Sequence, residues 1–340
     1  MTRPAVDHDS PGRQAGALSI IGSGSWGTAL AMVLAPRFKK VSLWVFERDL
    51  AERMRRTREN DVYLPGFMLP ENVDITTELR GAEFVLGVMP SHFARATYRA
   101  AAPHFDPSMT FVSATKGIKQ GTLLRMSQVW AETLPFPAPV AVLSGPTFAR
   151  EIARGDPAAV VIACEQLHVS ERVQAAFSGP SLRLYTNSDT IGVEIGAALK
   201  NVIAIGAGVC QGLGLGNNTL AALITRGLAE ITRLAVAMGG QPKTLAGLAG
   251  LGDLVLTCSG ELSRNRKVGM ELAKGRSLAE ILGSTRMVAE GVETCSAAVA
   301  LGEKFGVDLP IIQQMHAVLH TSKSPREALR DLMERSLKGE

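Results

Sequence analysis

Hydrophobic positions in the first half of the chain gather into short, almost unbroken apolar runs. They are Leu18–Ile21, Val41–Phe46, Phe84–Met89, Thr110–Ala114, Val140–Leu143, Ala158–Ala163 and Leu182–Tyr185, most of them bounded by Gly, Pro, Asp or Ser. Runs that are apolar throughout, rather than alternating, predict strands buried on both faces. Between them lie stretches with helical periodicity, such as Thr28–Leu34, Asp49–Arg58 and Leu123–Leu134. Strand and helix in alternation predict a doubly wound, mostly parallel sheet. After about Thr190 the pattern changes. Val193–Ala207, Thr219–Met238, Ser263–Leu272, Ser277–Leu282, Thr294–Phe305, Pro310–Leu319 and Pro325–Glu334 read as helices separated by Gly, Pro and Ser signals. The expected organisation is a disordered tail over residues 1–16, an α/β domain over 17–189 and an all-helical domain over 190–340.

The first apolar run ends in Gly22-Ser23-Gly24-Ser25-Trp26-Gly27, and a helix-forming run follows. Gly22 permits a tight turn, Gly24 lets backbone approach a pyrophosphate, and Gly27 lets the helix pack closely on the strand. The free N–H groups at the helix start then face an anion. A glycine motif between strand and helix predicts a dinucleotide site. The fold class is therefore α/β: an N-terminal Rossmann-type, mostly parallel sheet followed by a C-terminal all-helical domain.

Composition changes this picture little. The 340 residues are 46% hydrophobic and 20% charged, and the net charge of +4 gives no nucleic-acid footprint. Cys164, Cys210, Cys258 and Cys295 form no CxxC pair, which fits a reducing compartment. His316 and His320 share a helix face without an obvious third ligand, so no metal is expected. Residues 1–16 lack the apolar core of a signal peptide. Ile191–Cys210 is long and apolar, but Glu194, Lys200 and Asn201 interrupt it. It reads as a buried helix rather than a membrane span.

Strand ends in such a sheet face the ligand crevice, which singles out the polar residues there. Glu47 would accept hydrogen bonds from a ribose diol and so favour NAD. Arg48 would meet a 2′-phosphate and favour NADP, and the sequence leaves that choice open. Pro90, Ser91 and Phe93 would shape the nicotinamide side, with Phe93 as an apolar wall; His92 reads as surface decoration. Lys116 sits at another strand end, placed to bind phosphate or polarise a carbonyl. The loop Ser144–Ala149 offers free backbone donors and the Thr147 hydroxyl. Lys200 is the strongest catalytic candidate, because a lysine among apolar neighbours is costly unless paired or shifted in pKa. Asp253, after a glycine-rich turn, would hold Lys200 or a substrate hydroxyl, or cap the next helix. Ser263 and Arg264 combine a helix start with positive charge, which suits a phosphate.

Taken together, GSGSWGTALA at Gly22, PSHF at Pro90, SATKGI at Ser113, SGPTFAREIA at Ser144, ALKNVIAIGAG at Ala198, TRGLAEI at Thr225, AGLGDLVLTC at Ala249, SRNRKVG at Ser263 and AEGVET at Ala289 resemble the bacterial NAD(P)-dependent glycerol-3-phosphate dehydrogenases. The resemblance covers roughly residues 17–335. It implies interconversion of dihydroxyacetone phosphate and sn-glycerol 3-phosphate with NAD(H) or NADP(H), supplying glycerophospholipid synthesis. It implies that Ser25, Trp26, Phe46, Glu47, Arg48, Ala149, Val288 and Glu290 meet the cofactor, alongside Gly22, Gly24 and Gly27 of the glycine turn and Phe93 at its strand end. Lys116 and Arg264 would meet both cofactor and substrate. Gly145, Thr147, Asn201, Asp253, Thr257, Ser263 and Asn265 would meet substrate, with Lys200 as the proton-transfer residue. Phe46 stands where the family commonly has a basic residue or histidine, and acidic Glu47 follows it. The usual NADP preference is therefore not implied here. A cytoplasmic homodimer acting on a small molecule, with no membrane span, is the matching expectation. A β-hydroxyacid dehydrogenase of the same two-domain plan, or a dinucleotide sensor without turnover, are the alternatives.

Overall fold

The structure, a computed structural model, describes residues 14–284, 288–337 and 339. Most of the expected tail lies outside the described residues, and Ala15 and Gly16 already belong to the first strand. Eight strands form one sheet: β1 Ala15–Ile21, β2 Phe38–Trp44, β3 Val73–Thr76, β4 Phe84–Gly87, β5 Thr110–Ser113, β6 Val140–Ser144, β7 Ala158–Ala163 and β8 Leu182–Asn187. Their order is β3-β2-β1-β4-β5-β6-β7-β8. Every pairing is parallel except β6 with β7. The chain winds outward from β1 to β3, then returns to the other side of β1 as β4. That reversal leaves a crevice at the C-terminal ends of β1 and β4, the switch point where ligands bind in such sheets.

Six helices accompany the sheet: α1 Ser25–Leu34, α2 Arg48–Thr57, α3 Ser91–Ala101, α4 Met126–Thr133, α5 Ala149–Arg154 and α6 Leu167–Phe177. Leu18, Ile20, Leu43 and Phe84 pack beneath α1 and α6, whereas Ile21, Val85 and Phe111 pack beneath α3 and α4. This two-sided burial explains the unbroken apolar runs. β3 was not legible as a strand; it is a four-residue edge strand, and Asp74 within it is only partly buried.

The helical half comprises α7 Thr190–Gly212, α8 Asn217–Ala237, α9 Pro242–Leu245, α10 Asp253–Ser259, α11 Arg264–Ala273, α12 Leu278–Gly283, α13 Glu290–Phe305, α14 Pro310–His320 and α15 Pro325–Met333. Its axis is α7, which is the one described helix long and apolar enough to cross a membrane; its apolar window is wholly buried. Helices α8, α10, α11, α13 and α14 all pack on it. A Cβ on Gly208 would sit 1.9 Å from the Arg266 carbonyl oxygen, and one on Gly269 1.9 Å from that of Ile205. Glycine at both positions thus lets α7 and α11 meet backbone to backbone. This contact brings the start of α11 alongside Lys200 and Asn201.

Candidate active site

A cleft of about 880 Å³ runs between the sheet's C-terminal edge and the helical half. The glycine loop forms one end. Gly22 has φ +120°, and a Cβ there would lie 2.0 Å from the Val88 carbonyl oxygen; one on Gly27 would lie 1.9 Å from that of Gly22. The turn and the close helix–strand packing therefore both require glycine. Beyond Gly24 no protein atom lies within 4 Å of the equivalent Cβ, so that face is open. The first turn of α1 carries no acidic residue, and the buried Trp26 indole N–H has no partner among the described residues. These features fit a dinucleotide pyrophosphate at the helix start.

The opposite end is built around a shared carboxylate. Lys200, midway along α7, is only 5% exposed. Its ammonium donates to Asp253 Oδ1, and to Thr257 Oγ1 at 2.7 Å. Asp253 is completely buried, and its Oδ2 accepts from Lys116 Nζ at 2.8 Å. Lys116 also donates to the Gly145 carbonyl at 3.2 Å. Burial pulls the Lys200 ammonium down to about 7, opposed by the Asp253 charge and reinforced by that of Lys116. Asp253 begins α10 immediately after the turn Leu248–Gly252, which aims its carboxylate inward.

A carboxamide chain flanks this cluster. Asn265 Nδ2 donates to Asn201 Oδ1 at 3.0 Å, and Asn265 Oδ1 accepts from the Gly291 amide at 2.9 Å. It ties the starts of α11 and α13 to α7. Ser263 caps α11, accepting from the Arg266 amide at 3.3 Å. Arg264, the first residue of α11, is exposed and lines the cleft. Ser91 Oγ donates to Glu290 at 3.1 Å, and burial pushes the Glu290 carboxyl up to about 7. Val288 lines the same wall.

At the outer end Phe46 is 76% exposed to the cleft and meets Trp44 edge-to-face at 6.0 Å. Glu47 Oε1 accepts from the Tyr63 hydroxyl at 2.7 Å. Strand β2 stops at Trp44, earlier than expected, so Arg48 is already the first residue of α2. It is exposed, and it is not among the residues lining the cleft. Phe93, in the first turn of α3, is 56% exposed and forms an apolar wall, with Thr147 and Ala149 also on the lining. Gly145 and Asp253 lie just beneath the lining, reached through Lys116. The His92 ring lies 4.0 Å from that of Phe93, tilted by 51°, and burial lowers its pKa. Among the described residues no His, Cys, Asp or Glu cluster suits a metal ion.

Two residues escaped the sequence reading. Asn60 is completely buried and donates to the Ser23 carbonyl at 2.7 Å and to Thr28 Oγ1 at 2.8 Å. Its Oδ1 accepts from the Tyr63 amide, and Ser25 Oγ donates to the Tyr63 carbonyl at 2.6 Å. The segment holding Asn60 and Tyr63 is thereby stapled to the glycine loop. The only local signal there is the Leu64-Pro65-Gly66 turn.

Sequence profiles for the NAD-dependent glycerol-3-phosphate dehydrogenase N-terminus and C-terminus match residues 17–170 and 189–330. The chain belongs to this family. A glycerol-3-phosphate dehydrogenase (NAD(P)+) of Koribacter versatilis is 53% identical over 326 residues, covering 94% of this chain and 97% of the relative. The enzyme of that name from Geobacter sp. (strain M21) is 52% identical over 330 residues, covering 95% and 98%. The crystal structure of glycerol-3-phosphate dehydrogenase from Coxiella burnetii superposes with a TM-score of 0.89 at 38% identity, covering 94% of this chain and 99% of that one. The shared sheet and helical half account for a cleft with a glycine loop at one end and a buried lysine at the other.

Proposed function

We propose that the protein reversibly reduces dihydroxyacetone phosphate to sn-glycerol 3-phosphate with NADH or NADPH. The observation that carries this reading is the buried Lys200–Asp253–Lys116 cluster, set across one cleft from a dinucleotide-type glycine loop. A bound nicotinamide dinucleotide would supply the hydride. Its pyrophosphate would lie on the start of α1 against Gly24, Ser25 and Trp26, with Phe46 and Glu47 at the adenosine end. Ala149, Val288, Glu290 and Phe93 would complete its walls.

Lys200 protonates the carbonyl oxygen as negative charge develops there. An ammonium held near 7 gives up its proton at neutral pH without leaving an uncompensated buried charge. Asp253 and Thr257 fix its position, and Lys116 shares the Asp253 carboxylate. Gly145, Thr147, Asn201 and Asn265 orient the substrate oxygens. Arg264 and the start of α11, with Ser263, bind the phosphate, a remote anchor that positions the reacting carbon. In this reading residues 17–189 carry most of the cofactor site and residues 190–340 most of the substrate site, with Val288 and Glu290 reaching the cofactor and Gly145 and Thr147 the substrate. The setting is a cytoplasmic homodimer that supplies the glycerol phosphate backbone of phospholipids.

The test follows NADH and NADPH absorbance with dihydroxyacetone phosphate, and with a phosphate-free β-hydroxy acid in the oxidative direction. Turnover of the first and not the second is expected. Oxidation of the hydroxy acid alone would move the chain to a β-hydroxyacid chemistry, and no turnover of either would leave a dinucleotide sensor.

A further inference from the structure

Another cation faces the adenosine side of the cleft. Arg150 is the second residue of α5, is exposed, and lines the cleft together with Glu47, Tyr63 and Pro65. On the same short helix Arg154 is paired with Asp156. Arg150 has no carboxylate partner among the described residues; its guanidinium lies 5.7 Å from the centre of the Phe67 ring. Two contacts fix where that places the charge. Helix α5 packs on α1, so Arg150 stands near the helix whose N-terminus faces the cleft. Phe67 belongs to the segment that Asn60 and Ser25 staple to the glycine loop. A guanidinium left without a counter-charge beside an anion-favouring helix start is suited to a phosphate group.

We propose that Arg150 reads a phosphate of the dinucleotide, either the pyrophosphate or the 2′-phosphate of NADPH. This rests on the reading of the cleft as a dinucleotide site. The Phe67 ring lies loosely beside the guanidinium and leaves its N–H donors free for phosphate oxygens. Glu47, held by Tyr63, keeps a negative charge on the same end of the cleft. A cation on α5 offsets that repulsion from within the cleft lining.

The experiment titrates NADH and NADPH into the full chain without substrate, following intrinsic tryptophan fluorescence, for wild type, Arg150→Ala, Arg150→Lys and Phe67→Leu. Arg150→Ala is expected to raise Kd about tenfold, the typical loss for one charge-assisted contact. Equal losses for both cofactors assign the pyrophosphate, and a loss for NADPH alone assigns the 2′-phosphate. Arg150→Lys should recover part of the loss, and Phe67→Leu should stay within about twofold of wild type, because exposed cation–π contacts are weak. Unchanged Kd for both cofactors in Arg150→Ala overturns the proposal. So does a Phe67→Leu loss as large as that of Arg150→Ala, which would make Arg150 only an anchor for its loop. Wild-type protein that binds neither dinucleotide would overturn the cleft assignment itself and this inference with it.

Discussion

Asp253 holds Lys200 from a position with no solvent contact, and the same carboxylate holds Lys116 at 2.8 Å. One buried negative charge therefore serves two cations. A lone buried ammonium would be strongly disfavoured, and a lone buried carboxylate equally so. The cluster keeps Lys200 inside the protein, while burial still draws its pKa down to about 7.

Lys200→Ala is expected to lower kcat by at least about a hundredfold, the usual contribution of a positioned general acid. Cofactor Kd should change little, since the glycine loop lies at the other end of the cleft. Stopped-flow turnover together with fluorescence titration checks both halves. Near-normal kcat would remove Lys200 from proton transfer.

The pH dependence has a definite sign. Reduction needs the ammonium form of Lys200, which is lost as pH rises through about 7. The kcat/KM for dihydroxyacetone phosphate should therefore fall above that pH, and the oxidative reaction should gain rate over the same range. The Asp253 charge raises the Lys200 pKa. Asp253→Asn should thus move the reductive limb to lower pH and cost about 3 kcal/mol of stability, as when one partner of a buried pair is removed. A limb that stays in place in Asp253→Asn would separate it from Lys200.

Much of this site was legible in the sequence because its signals are local. Lys200 interrupts an apolar helix, and Gly22, Gly24 and Gly27 sit between a strand and a helix. Ser263 precedes a helix start, where a capping serine belongs. Asn60 was not legible, because its function lies in hydrogen bonds to Ser23 and Thr28, far away in sequence. The stretch around it has no hydrophobic period. The end of β2 was not legible for a different reason. Apolar Val45 and Phe46 prolong the strand pattern beyond Trp44, although Phe46 points into the cleft. Strand β3 was missed because a short edge strand carries too few positions to show a period.

Asn60→Ala would take from the Ser23 carbonyl one of its two buried donors, the Thr28 hydroxyl being the other, and remove the side-chain oxygen that the Tyr63 amide reaches, a loss of about 1–3 kcal/mol. Part of it should appear as looser cofactor binding, because the backbone that faces the pyrophosphate is the part released. A raised Kd for NADH with an unchanged KM for dihydroxyacetone phosphate at saturating cofactor is expected. A change confined to melting temperature would show that the staple serves folding alone.

Arg264→Ala should raise the KM for dihydroxyacetone phosphate more than it lowers kcat, with a loss of about 1.5–3 kcal/mol in kcat/KM. Arg264→Lys should recover only part, since a point charge replaces a planar fork. Initial-rate kinetics of both variants provide the check. If neither variant alters kcat/KM, the substrate phosphate lies elsewhere.

Cofactor choice turns on Glu47 and Tyr63. The Tyr63 hydroxyl donates to Glu47 at 2.7 Å and so fixes a carboxylate where an adenosine ribose would lie. A carboxylate there accepts from a ribose diol and repels a 2′-phosphate. Glu47→Ser should therefore raise the NADPH/NADH ratio of specificity constants, by about tenfold if 1.4 kcal/mol of repulsion is removed. Tyr63→Phe leaves the charge but frees its direction, so it should weaken NADH binding more than it helps NADPH. Arg48→Ala should leave the ratio unchanged, because Arg48 lies off the cleft lining. The decisive measurement is the ratio of kcat/KM values for the two cofactors in each variant. A ratio that moves with Arg48 and not with Glu47 would place the ribose outside the Phe46–Glu47 turn.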